Sequence, residues 1–184
     1  MESKRVVSIL PARRRRHLAL AAATLLALSS AALAQSHDIE QVSLLGVKNA
    51  LLERAATGAV ELASRMLATP RCQQIFLDFH DPSGRTLQQR LDTLGYTGSG
   101  FLDTLRFANG ERLDACQSSQ VLAATAPSSH VIFLCGLNFF HRQRERPDFS
   151  AALVIHEMLH SLGLGENPPS SNEITARVIE RCGP

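Results

Sequence analysis

The sequence predicts an α+β fold. We expect a small mixed or antiparallel sheet of three to four strands, helices before it, an apolar helix after it and a short helix at the C-terminus. Three observations carry this expectation. Between residues 38 and 68 apolar side chains recur mostly at helical intervals. Between 105 and 134 the pattern changes to short apolar runs divided by turn residues, the signature of strands. From 149 to 162 a mostly apolar segment closes on a glycine, and a more polar helical segment follows over 172–181.

The first 34 of the 184 residues stand apart from that fold. Arg13, Arg14, Arg15 and Arg16 form a basic run, Leu18 to Ala34 is almost wholly apolar or small, and Ala32-Leu33-Ala34 is a small-x-small cleavage pattern. The apolar stretch falls short of the roughly 20 residues that cross a bilayer. The expectation is a signal peptide over 1–34 and one domain over 35–184, secreted or periplasmic and without a membrane attachment after cleavage. Cleavage would expose Gln35 rather than a cysteine, which argues against a lipid anchor.

Charge follows the same division. The chain holds 19 Lys and Arg against 17 Asp and Glu; without the six basic and one acidic residues of 1–34 the balance is 13 against 16, a net of −3. The basic character belongs to the leader, and nucleic acid loses its support as a partner. The remaining 150 residues suffice for one core and suggest a monomer. Four cysteines, Cys72, Cys116, Cys135 and Cys182, with no CxxC pair, predict two disulfides of open connectivity in an exported chain.

The elements follow in order. The first helical stretch ends at Thr69-Pro70, with Gly46 and Gly58 marking breaks or close packing. Arg71 to Phe79 reads as a short helix closed by the Asp81-Pro82-Ser83-Gly84 turn, and Thr86 to Leu94 as another, stopped by Gly95. Tyr96 to Gly100 is a small-residue loop. Asn109-Gly110 between Leu105–Ala108 and Glu111–Asp114 reads as a type I′ hairpin. Val121–Thr125 and His130–Leu134 supply two more strands. Phe139 to Phe149, with its HRQRERPD run, reads as a charged loop; Asp148 then caps a helix from Phe149 to Leu162 that ends at Gly163.

That helix carries His156-Glu157-Met158-Leu159-His160. Histidines four apart project from one face and can take two corners of a zinc tetrahedron, at Zn–N of about 2.0–2.1 Å. Glu157 lies about 100° round the helix, poorly placed as a ligand but within reach of a metal-bound water, which suits a general base. The flanks Leu153-Val154-Ile155 and Met158-Leu159 predict burial, and two histidines and a glutamate buried there need partners that a metal would supply.

AALVIHEMLHSLG resembles the active-site helix of the zincin metallopeptidases, over some 35 residues with its flanks. The resemblance implies Zn2+ held by His156 and His160, Glu157 as catalytic base, and hydrolysis of a peptide or protein substrate. It leaves the third ligand open. Glu166 completes a metzincin-like HExxHxxGxxE spacing, although no methionine follows Met158 to form that family's Met-turn. Glu173 is the preferred candidate, as an acid on the helix after HExxH in the manner of gluzincins and aspzincins; its other reading is the N3 residue of a capping box with Ser170. Arg177 and His141 are candidates for an oxyanion donor or a supporting role, with Tyr96 weaker, and His80 and His130 read as structural. The strand Val131–Leu134 is expected, from zincins in general, to be the edge along which substrate lies. The expected function is therefore an exported zinc endopeptidase, with a zinc-binding but non-catalytic zincin-fold interaction protein as the alternative.

Overall fold

The first helix begins later than its periodicity suggests. In the structure, a computed structural model that describes residues 43–45 and 49–183, Ser43–Leu45 is a strand, β1. The predicted signal peptide lies outside the described residues. Helix α1 (Ala50–Leu67) starts where Asn49 stops the extended chain: its side-chain oxygen accepts hydrogen bonds from the Leu51 and Leu52 amides. Ala55, Ala56, Ala59 and Ala63 give α1 a thin buried face, so neighbouring helices approach closely. Gly58 does not break the helix. A Cβ there would lie 3.3 Å from the Gln143 side-chain nitrogen, so this glycine serves close packing.

Two short helices, α2 (Pro70–Gln73) and α3 (Ile75–Asp78), occupy the stretch read as one. Helix α4 (Leu87–Leu94) opens on a Thr86–Gln89 capping box and stops at Gly95, with φ of 75°. The small-residue stretch after it is not only a loop. Thr97 caps a short helix, α5 (Gly98–Leu102), and a Cβ on Gly98 would sit 2.6 Å from the Phe76 ring, so its size is set by packing.

The sheet is mixed and four-stranded, in the order β1-β2-β4-β3, with β2 (Arg106–Asn109), β3 (Ala123–Ala124) and β4 (Val131–Leu134). β1, β2 and β4 run parallel and β3 is antiparallel to β4. The predicted hairpin at Asn109-Gly110 does not form. The Asn109 side chain accepts from the Glu111 amide, and the chain turns into a 3-10 helix at Asp114–Gln117. Gly110 donates instead to the Leu134 carbonyl at 2.7 Å, prolonging the β2–β4 ladder. A Cβ on Gly110 would lie 2.9 Å from Cys116 Sγ, so the glycine makes room for the Cys116–Cys135 disulfide. β4 is not the edge strand that the family resemblance implies; it lies between β2 and β3, and the edges are β1 and β3.

The charged run is a helix, α6 (Gly136–Glu145), not a loop. Phe139 is fully buried on one side of it, while the Arg144 and Arg142 guanidiniums lie over the Phe140 and Phe149 rings. Helix α7 (Pro147–Ser161) begins with Pro147 in its first turn, so Asp148 lies inside the helix and is not its cap. Gly163 follows with φ of 108°. Helix α8 (Ser171–Cys182) packs back on α7 with Ile174, Val178 and Cys182 buried, and Cys72–Cys182 ties its end to α2. Both predicted disulfides are therefore present. No helix among the described residues is long and apolar enough to cross a membrane.

Candidate metal centre

Helix α7 is buried nearly all round. From Ser150 to Ser161 every residue but Leu153 is buried, and His156, Glu157 and His160 are 3%, 6% and 6% exposed. Burying these three polar side chains requires partners, and each ring finds one through Nδ1. His160 Nδ1 lies 2.8 Å from the Leu164 carbonyl and His156 Nδ1 lies 2.9 Å from Thr175 Oγ1 on α8. A carbonyl only accepts, so His160 donates from Nδ1 and its neutral tautomer keeps the lone pair on Nε2.

Both Nε2 atoms face one point. They are 3.0 Å apart, and Glu166 Oε1 lies 3.5 Å from His160 Nε2 and 4.0 Å from His156 Nε2. Among the described residues this is the group of ligand atoms able to hold a metal ion together. The edge of a zinc tetrahedron is about 3.3 Å for ligand bonds of about 2.0–2.1 Å. A triangle of 3.0, 3.5 and 4.0 Å brackets that edge, and two imidazoles with one carboxylate form a donor set that suits zinc. The residues present fit such an ion.

The acid that closes this group is Glu166, not the favoured Glu173. After α7 the chain reverses within Gly163 and Leu164: the Gly163 and Leu164 amides donate to the His160 and Leu159 carbonyls. That reversal sets Glu166 opposite the histidine pair. The Glu173 carboxylate instead accepts from the Ser170 amide and hydroxyl, completing the α8 capping box. The Ser170 hydroxyl and amide hold its pKa below the ordinary value. Local capping has taken the carboxylate that ligation would need.

Glu157 and the two histidines share a cleft of about 320 Å³ with Glu166 and Ser171. Its opposite wall is the edge strand and its surroundings, Val121, Ala123, Ala124, Thr125 and Pro127. Burial, reinforced by the Glu166 charge, pushes the Glu157 carboxyl up to about 8, against the pull of a Thr125 backbone N–H. Burial, then the neighbouring His160, pushes His156 down to about 4. Protonation is thus held off His156 and ionisation is held off Glu157, conditions that a bound cation would relieve.

Other predicted residues fall elsewhere. Arg177 pairs with Glu180 at 3.0 Å and lies near Asp78, on another surface of α8. His141 packs edge-on to Phe140 on α6, Tyr96 to Phe101, and His130 to the same Phe101; His80 bridges Thr86. None lines the cleft. Thr175 and the Leu164 carbonyl are the partners sequence reading missed. The return of α8 over the end of α7 was the available signal for the first, and the main-chain partner left none.

These elements define an α+β domain with a buried-to-exposed His-His-Glu group able to hold a metal ion. No family model matches the chain, and neither curated proteins nor solved structures give a match.

Proposed function

We propose that this chain is an exported, zinc-dependent endopeptidase. The observation that carries the reading is the position of Glu157: a buried carboxylate in the same cleft as three ligand atoms spaced for one zinc ion. His156, His160 and Glu166 would hold the ion. Zinc in such a site lowers the pKa of water from 15.7 towards roughly 7 and polarises a carbonyl. Glu157 takes the proton of the attacking water and returns it to the leaving amine. Strand β3 forms the opposite wall and an edge of the sheet, so a peptide laid along it would gain main-chain hydrogen bonds and present its carbonyl to Glu157. Export is supported by the leader-like residues 1–34 and by two disulfides.

Purified residues 35–184 are expected to bind about one zinc and to cleave an unfolded protein, with loss of cleavage on adding chelator or on Glu157→Gln. Cleavage that survives both treatments would refute the reading. Zinc binding without turnover of a broad peptide library would assign the chain to the non-catalytic, metal-bound class.

A further inference from the structure

The two histidines are not supported alike. The partner of His160 is local, a carbonyl four residues on at the end of the same helix. The partner of His156 comes from another helix: Thr175, nineteen residues away on α8. A neutral imidazole can bind a cation through Nε2 only when its proton sits on Nδ1. Among the described residues Thr175 is the partner at His156 Nδ1, and the other polar contacts of the ring, with His160 and Glu166, are made by Nε2 on the opposite side.

Helix α8 is held against α7 by the buried Ile174 and Val178, and its polar and covalent ties gather at its far end. Cys182 is bonded to Cys72, Arg181 makes a two-pronged contact with Asp78 at 2.7 and 2.9 Å, and Arg71 donates to the Glu180 carbonyl. At the near end the polar contacts of Ser170 and Glu173 are with each other. Thr175 stands beside the buried Ile174 and seven residues before Cys182, about 10 Å along the helix, so the far-end ties act together with that packing to set the register of its hydroxyl against His156.

Resting on the metal reading above, we infer that Thr175 is a positioning residue that turns the His156 Nε2 lone pair to the metal, and that the Cys72–Cys182 disulfide sets metal affinity through it. Thr175 accepts the Nδ1 proton of His156, and the fastening of α8 holds it within reach.

The test is zinc affinity, measured by competition with a chromophoric chelator, together with the visible spectrum of the Co2+-loaded chain. Thr175→Val keeps the shape of this half-buried side chain and removes the acceptor. It should weaken zinc binding roughly 10–100-fold, the usual cost of losing such a partner, and alter the Co2+ bands. Thr175→Ser should bind as wild type does. Replacing both Cys72 and Cys182 by Ala should weaken binding in the wild-type background but change it by less than about twofold in the Thr175→Val background, because coupled effects do not add. Arg181→Leu loosens the same end of α8 with both disulfides intact and should give a smaller loss that likewise disappears in the Thr175→Val background, which keeps the coupling testable if the cysteine variant does not fold. Wild-type affinity in Thr175→Val would overturn the positioning role. Equal losses in both backgrounds would overturn the link to the disulfide. A wild-type chain that binds neither metal would instead remove the metal reading itself, a result visible before any variant is made.

Discussion

Gly163 is where the geometry of the centre can be tested through stability. It follows α7 with φ of 108°, outside the range comfortable for L side chains, and its amide donates to the His160 carbonyl. Space is not the constraint: a Cβ there would meet nothing nearer than Ser128 Oγ at 3.6 Å. The cost of Gly163→Ala is therefore conformational, about 1–2 kcal/mol, or roughly 2–8 °C in melting temperature for a domain of this size. Gly165, two residues on, is the control. It has open space around it and is not among the glycines with positive φ, so Gly165→Ala should stabilise by about 0.4–1 kcal/mol through the unfolded chain. Reversible thermal unfolding followed by circular dichroism measures both. The Leu164 carbonyl that holds His160 follows Gly163 directly, so Gly163→Ala should also weaken zinc binding. Equal melting temperatures for the two variants would refute the reasoning.

Three further outcomes are expected. Glu166→Gln should weaken zinc binding by more than the 10–100-fold typical of an outer partner, whereas Glu173→Ala should leave affinity near wild type and lower the melting temperature through loss of the capping box; zinc titrations and melting curves on the two variants separate these roles. Phe139→Ala should destabilise by about 3–5 kcal/mol because the ring is fully buried on α6; a change within about 0.5 kcal/mol in urea unfolding would return that segment to a solvated loop. The Asp81 carboxyl is held at about 2, below 3.8, first by the Ser83 hydroxyl and then by the Arg85 amide and guanidinium. Its folded-state pKa is the lower one, so its contribution is complete above about 3.8 and is lost as pH falls through about 2. Melting curves at pH 5 and 2 should show a larger drop for wild type than for Asp81→Asn.

The legible parts of this protein are those set by local chemistry. The helix stopped at Gly95, the Ser170–Glu173 capping box as the other reading of Glu173, the stop at Gly163 and the shared face of His156 and His160 follow from spacing and capping rules that need no tertiary information. The misread parts depend on what lies opposite. Asn109-Gly110 spells a hairpin, but β2 is claimed on both sides by parallel neighbours and Gly110 is fitted to a disulfide sulfur. Tyr96 to Gly100 looks unstructured because its glycines are small, and one is small in order to admit Phe76. The charge run of α6 hides a helix because its guanidiniums lie over aromatic rings.

The third ligand follows the same division. A helix places i and i+4 side chains together whatever surrounds it, so the histidine pair can be read from the sequence. A carboxylate beyond the helix is placed by the turn between them. Glu173 begins a new helix whose first turn has its own unsatisfied amides, and Ser170 draws it inward as a cap. Glu166 precedes that helix, in the short return fixed by Gly163 and Leu164, and its ion-pair contacts among the described residues are with the two histidines. Competition for the carboxylate, more than family spacing, therefore decides between the two acids. An acid in a loop is open to recruitment by a metal centre, and one at N3 of a capped helix is already bound.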